Sequence, residues 1–397
     1  MKPRGVLLDA LLALVSLAIF AGVAEIAARA VDLRPASGAA LANPPWMGDR
    51  RLLRSDYRDE MEKTGVLARY YDLYEWDRFL FYRLRPDANV ELLDPFAPPA
   101  ARERSRWSVH INDQGFRTPA FAEPKLPGTR RIVVLGDSST FGWGVEEFQA
   151  YPRRLATALA KRWNVDPARI EVLNLGVPGY STFQGRVLLE RSALALDPDA
   201  IVWSYLSNDG AITGVSDQAT YAQRIGPSGA LLAVLHGSRA FETLEAWIAV
   251  ARRRIAPPAE PDPRDATQRN IPGYDAAAAN IRAVTEQARA AGIPLVLLGQ
   301  CTRGRPARVM AEVARETGTP HLDAVRLLEE EIPVLAEDER FAAHREASRD
   351  RYGSEIDANP LWLAFLPDRC HPNALGHELV ADALADVVAR VVAEPNR

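Results

Sequence analysis

From Arg131 to Ala393 short apolar runs alternate with amphipathic ones, and this alternation restricts what the chain can fold into. Strands are expected over 131–135, 170–175, 200–206, 294–300 and 320–323. Helices are expected over 151–163, 184–196, 276–291, 307–317 and about 374–393. A strand that returns through a helix to its neighbour runs parallel to it, and a parallel sheet needs helices on both faces. The expected fold is therefore α/β, a three-layer α/β/α sandwich around a central parallel sheet.

Two regions break the pattern. At about 212–274 the alternation lapses into a helical insertion. Helical spacing there runs through Leu232, Leu235, Phe241, Leu244, Trp247 and Ile248 over 231–254, before a proline-rich run over 256–264. A lid over the site and a packed surface helix fit it equally. Residues 30–130 read as a juxtamembrane region packing on the main domain, which occupies 131–397. Its dense aromatics over 70–82 fit a packed patch better than a membrane belt or a substrate platform. Asn112-Asp-Gln-Gly115 reads as a turn between short strands.

Residues 1–29 depart from this soluble character. Lys2 and Arg4 precede an apolar stretch over residues 5–24 that Glu25 and Arg29 close. About twenty helical residues span a hydrocarbon core of roughly 30 Å. The basic flank belongs inside, so everything after Glu25 lies outside the cytoplasm, periplasmic or extracellular. A retained inner-membrane anchor is the preferred reading. A secreted protein released by cleavage after Gly22-Val-Ala24 is the alternative.

Composition bounds the function. The chain is 47% apolar and 25% charged, as globular proteins are, and its net charge of −4 argues against a nucleic-acid partner. The two cysteines, Cys301 and Cys370, would sit in an oxidising compartment. No Cys-x-x-Cys or His-Glu-x-x-His spacing occurs, so neither a metal nor a cofactor is expected.

Chemistry gathers at the strand ends. The first strand runs into Gly136-Asp-Ser138, which puts a hydroxyl beside the unpaired N–H groups of a helix start. Such a tripeptide arises by chance in roughly one chain in ten of this length, and Ser138 alone reads equally as a helix cap. The second strand ends in Asn174-Leu-Gly-Val-Pro-Gly179, the third in Leu206-Ser-Asn208-Asp-Gly. Asp368-Arg-Cys-His371 precedes the last helix. Alone, the glycines are loop residues and Asn208-Asp-Gly a turn. A parallel sheet, however, brings all its strand C-termini to one edge, where active sites form.

This ordered set resembles the SGNH (GDSL-type) hydrolases, over roughly 131–393. The resemblance implies a flavodoxin-like sandwich and a serine esterase that attacks carboxylic esters. It makes Ser138 the nucleophile, His371 the general base and Asp368 its orienting carboxylate. Ser138, Gly179 and Asn208 become the oxyanion hole. Asp137 is expected to orient the turn. The stretch 112–117 and the N-terminal segment look like those of bacterial membrane-anchored members. Two positions depart from the family: Leu206 stands where it usually has glycine, and Ser139 replaces its leucine. Cys301 ends a strand at the same edge as Cys370, so a disulfide bracing the Asp368–His371 loop is expected. Family and location together imply an ester substrate, in particular acylated carbohydrate of the envelope or in export. An O-acyltransferase acting on envelope glycan is the first alternative, a non-catalytic envelope-binding protein the second.

Overall fold

A computed structural model describes residues 3–31, 70, 72–94, 97, 98, 101, 104–210, 216–255 and 274–392. The proline-rich run over 256–264 lies outside them, as does much of the segment 30–70. Helix α1 (Pro3–Ala30) carries the N-terminal apolar stretch, and Leu11–Ala30 is long and apolar enough to cross a membrane. Almost none of that span is buried against the rest of the protein.

Two antiparallel hairpins follow. β1 (Tyr74–Asp77) pairs with β2 (Phe81–Leu84), and β3 (Asn89–Leu93) with β4 (Arg106–His110). Tyr70, Tyr74 and Tyr82 turn inward from this region and join the main core.

The central sheet consists of β5 (Arg130–Gly136), β6 (Ile170–Asn174), β7 (Ala200–Ser204), β8 (Leu295–Gly299) and β9 (His321–Asp323). All pairs are parallel and the spatial order is β6-β5-β7-β8-β9. Strand β5 therefore has its successors on both sides, and the crevice beyond its C-terminal end is the topological switch point where open α/β sheets bind ligands. Alternate residues face opposite layers: Val133, Leu135, Ile201 and Trp203 go to one, Ile132, Val134, Ala200 and Val202 to the other.

Both layers are helical, which is what lets the strands present apolar residues to both faces. The single turn α2 (Ser138–Phe141) leaves β5, and α3 (Tyr151–Trp163) follows it. α4 (Thr182–Arg191) leaves β6, and α5 (Asp217–Ile225), α6 (Pro227–Leu235) and α7 (Arg239–Ile255) form the insertion after β7. Then come α8 (Tyr274–Ala290), α9 (Arg305–Thr317), α10 (Ala324–Glu337), α11 (Ala342–Tyr352) and α12 (Ala374–Val391). α4, α8 and α9 cover one face, α3, α10 and α12 the other. The fold is thus the expected α/β/α sandwich with a central parallel sheet.

Boundaries differ from the expectation where side chains cap a helix. The helix expected over 184–196 starts at Thr182, because Ser181 and Gln184 form a reciprocal capping box. It ends at Arg191, and a short 3₁₀ turn, Ala193–Leu196, completes the stretch. The single insertion helix expected over 231–254 is two: it breaks at Gly237-Ser238, where the Ser238 hydroxyl accepts from Phe241 N and starts a new helix.

Candidate active site

Ser138 is the first residue of α2, directly after β5. The Asp137 carboxylate caps that turn by accepting from Ser139 N at 3.0 Å. It also accepts from the Ser207 hydroxyl, which ties the β5 turn to the β7 turn. Asp137 is fully buried, and burial pushes its carboxyl above the usual carboxylate range against the pull of these donors. The sharp turn needs space beside it: a Cβ on Gly176 would lie 2.4 Å from Phe141 N.

A histidine arrives from the far end of the chain. His371 Nε2 lies 2.7 Å from Ser138 Oγ, and its Nδ1 lies 2.5 Å from Asp368 Oδ2. The other oxygen of Asp368 accepts from Cys370 N at 2.8 Å and His371 N at 3.0 Å. These bonds fix the carboxylate and thereby the imidazole. Burial disfavours the imidazolium, but Asp368 outweighs it, helped by Asp137 and Asp94, so His371 is held above the ordinary histidine value. Burial would raise Asp368, but the imidazolium and the three donors hold it below the ordinary aspartate value. The Trp143 ring packs against the imidazole at 6.0 Å.

The loop holding Asp368 and His371 is closed from several sides. Leu366 N donates to His371 O at 2.7 Å, and Arg369, at φ 59°, reaches Asn359 Oδ1 at 2.8 Å. Cys370 forms a disulfide with Cys301, just after β8, across a sequence separation of 69. His377, in the first turn of α12, is a contrast. It accepts from Tyr151 N at 3.2 Å, and burial pushes its pKa down to about 3, so it stays neutral inside the packing.

Gly179 and Asn208 come from the β6 and β7 ends. Gly179 has φ 85°, a left-handed conformation that glycine adopts without strain. Asn208 Nδ2 donates to Tyr180 O at 3.0 Å, which draws the two loops together beside Ser138's turn. Leu206, where the family usually has glycine, takes φ 120°. The backbone therefore keeps a path suited to glycine, and the Leu206 side chain is carried in the core.

The family model for the GDSL-like lipase/acylhydrolase family matches residues 134–379. The chain belongs to that family. No curated protein matches it. Solved structures similar to it include the lipase/acylhydrolase from Enterococcus faecalis, at 16% identity over 68% of this chain and 100% of that one, TM-score 0.38. An acetylxylan esterase from Geobacillus stearothermophilus is 16% identical over 66% of this chain and 94% of its own, TM-score 0.36. The psychrotrophic esterase EstA from Pseudoalteromonas sp. is 12% identical over 66% and 97%, TM-score 0.36. As a member of the GDSL family the chain is a serine ester hydrolase. Among the described residues, no group of three or more His, Cys, Asp or Glu side chains could hold a metal ion.

Sequence reasoning passed over three supports of this GDSL site. Arg117 is wholly buried and donates to Phe141 O at 2.9 Å, Gly142 O at 2.7 Å and Val145 O at 2.7 Å, carbonyls at and just after the end of the Ser138 turn. Burial lowers its pKa to about 10, with Glu147 and Glu146 opposing the fall. Asp209 accepts from Thr182 N and from Thr182 Oγ1 at 2.5 Å, so it anchors the start of α4; burial raises its pKa to about 7. Tyr82 Oη donates to Pro178 O at 3.0 Å, next to Gly179. An arginine two residues after Asn112-Asp-Gln-Gly115 was the only signal in the sequence, and nothing in it showed which carbonyls that side chain would reach.

Proposed function

We propose that Ser138, His371 and Asp368 form the catalytic triad of a carboxylic-ester hydrolase. The observation that carries this reading is the pair of contacts at 2.7 Å and 2.5 Å linking the serine hydroxyl, imidazole and carboxylate. Ser138 Oγ attacks the ester carbonyl while His371 Nε2 takes its proton. Asp368 keeps the Nδ1 proton in place and stabilises the imidazolium without being protonated. The tetrahedral oxyanion is held by the backbone N–H groups of Ser138 and Gly179 and the Asn208 amide. Loss of one such donor costs about 3–4 kcal/mol of barrier in a known serine hydrolase. His371 returns the proton to the leaving alkoxide, and the acyl-enzyme is then attacked by water, which His371 deprotonates in turn.

The substrate we propose is an acylated, in particular acetylated, carbohydrate in the envelope or in export, met by an enzyme that α1 anchors with its catalytic domain outside the cytoplasm. Support comes from the membrane-length apolar helix at the N-terminus and from the Cys301–Cys370 bond, which belongs to an oxidising compartment. The test is hydrolysis of aryl acetates and acetylated polysaccharides by the purified full-length protein and its Ser138→Ala variant. The expected result is activity and phosphonate labelling in the wild type and neither in the variant. Equal activity in both would overturn the triad. Acyl transfer to added glycan in place of release as acid would reassign the enzyme as a transferase.

A further inference from the structure

The insertion that follows β7 exposes an unusual amount of apolar side chain. Leu231 and Val234 on α6 are 61% and 75% exposed, and Trp247 and Ile255 on α7 are 60% and 84% exposed. Ile225, Leu244 and Ile248 are also exposed. Scattered single apolar residues on a surface need no explanation, but a run of them on consecutive helices marks a surface that meets something apolar.

The position of this surface says what that is. Helix α1 packs against α7, and the contacts sit where the apolar span of α1 ends. Glu25 Oε2 accepts from Ser238 Oγ at 2.7 Å and from Ala240 N at 3.1 Å, which caps the start of α7 with a carboxylate from the N-terminal helix. Four residues on, Arg29 Nη2 donates to Gly237 O at 3.2 Å. The exposed residues of α6 and α7 thus flank the break that α1 grips. The side chains of α1 beyond these contacts, Phe20 and Val23 among them, are themselves exposed and apolar.

The insertion is also fixed to the body of the enzyme. Arg78, between β1 and β2, donates to Arg224 O and Ile225 O, both at 2.9 Å, where α5 ends. Arg224 donates back to Asp77 O at 2.7 Å and Phe81 O at 3.0 Å. The Trp76 ring stacks on His236 at 4.4 Å. The hairpin held in this way reaches the candidate oxyanion loop through Tyr82 and Pro178.

We propose that α6 and α7 form a membrane-docking surface, lying with Leu231, Val234, Trp247 and Ile255 in the lipid interface beside the point where α1 leaves the bilayer. Amphipathic helices bind that interface through their apolar face, and tryptophan is at home in it. The surface would give the enzyme a second attachment and fix the orientation of the site relative to the bilayer. This rests on the reading of α1 as a membrane anchor.

Full-length protein in phosphatidylcholine–phosphatidylglycerol vesicles tests it. A fluorophore is attached to single cysteines introduced by Val234→Cys, Trp247→Cys, Phe20→Cys and, as an aqueous control, Glu316→Cys. Each is exposed to nitroxide-labelled lipids, with hydrolysis of a soluble aryl ester confirming that every variant is folded. Expected is loss of fluorescence at 234, 247 and 20 and none at 316. Quenching at 20 without quenching at 234 and 247 would overturn the docking surface and leave the anchor standing; that is the outcome if a second copy of the chain covers the patch. No quenching at 20 would overturn the anchor and the docking together.

Discussion

Tyr82 and Tyr180 meet edge to face, 5.2 Å between ring centroids, and hold each other's neighbourhoods by their hydroxyls. Tyr180 Oη donates to the Tyr82 carbonyl at 2.5 Å, and Tyr82 Oη donates to the Pro178 carbonyl at 3.0 Å. The pair straddles Gly179, so a hairpin outside the main sheet sets the loop proposed to supply an oxyanion donor. Tyr82→Phe keeps the ring and leaves the buried Pro178 carbonyl unpaired, at a cost of about 1–3 kcal/mol. We expect a lower Tm and a kcat reduced about tenfold, with KM nearly unchanged, measured on an aryl acetate. A KM effect alone would place Tyr82 in substrate binding.

The Asp368–His371 contact predicts a pH profile. In the proposed triad only neutral His371 can accept the Ser138 proton, and its pKa is raised, chiefly by Asp368 overcoming the effect of burial. Activity should therefore rise with pH through a midpoint above the ordinary histidine value of about 6.5. Asp368→Asn should move that midpoint down and reduce kcat by about 10⁴, as loss of the aspartate does in a serine protease. For stability the sign is opposite at the histidine. A raised folded-state pKa stabilises fully below the unfolded value, and that contribution fades as pH rises through the folded one.

Arg117 is a positioning residue for the turn that carries Ser138, the proposed nucleophile. Its guanidinium binds three successive-region carbonyls, at Phe141, Gly142 and Val145, and lies over the rings of Trp107 and Phe141. Lysine has a point charge in place of the planar fork and cannot reproduce this set. Arg117→Lys should lower stability by about 3 kcal/mol. It should also lower kcat without shifting the pH midpoint, read by urea unfolding and by the pH profile. A shifted midpoint would show that Arg117 acts through the charge on His371 and not through the turn.

The Cys301–Cys370 bond closes a loop of 69 residues in sequence separation. In the chain-entropy picture a loop of that size gives roughly 4 kcal/mol of stability. The double variant Cys301→Ser, Cys370→Ser should lose up to that amount in denaturant unfolding. Its kcat should fall further than its stability alone explains at temperatures where it stays folded, because Cys370 immediately precedes His371. Unchanged kcat would show that the Leu366 N–H bond and the bonds accepted by the Asp368 carboxylate hold the loop by themselves.

Much of this was legible because it is periodic or local. The strands of the sheet are mostly apolar runs, and three of the four chemical segments follow strands of a parallel sheet, so topology brings those three to one edge; the Asp368–His371 segment lies in the loop before the last helix, and only its type and order pointed there. The hairpins β1–β4 were not legible as such. Their residues face a mixture of core and solvent, and their aromatic density resembles a surface patch as much as a strand. Side-chain reach was invisible as well: Arg117 meets carbonyls 24 to 28 residues away, and no spacing rule encodes that. Leu206 shows the limit differently. Leucine at φ 120° carries backbone strain of about 1–3 kcal/mol, which its packing in the core must offset, and sequence records neither quantity.

Ser138 and His371 are 233 residues apart. A ribosome adding about 5–20 residues per second takes on the order of tens of seconds to cover that distance. Throughout that interval the nascent polypeptide carries its proposed nucleophile with no histidine beside it, and Cys370 is made only at the close of it. Under the proposed triad, order of synthesis by itself provides the latency: no chain that stops short of His371 can turn over substrate.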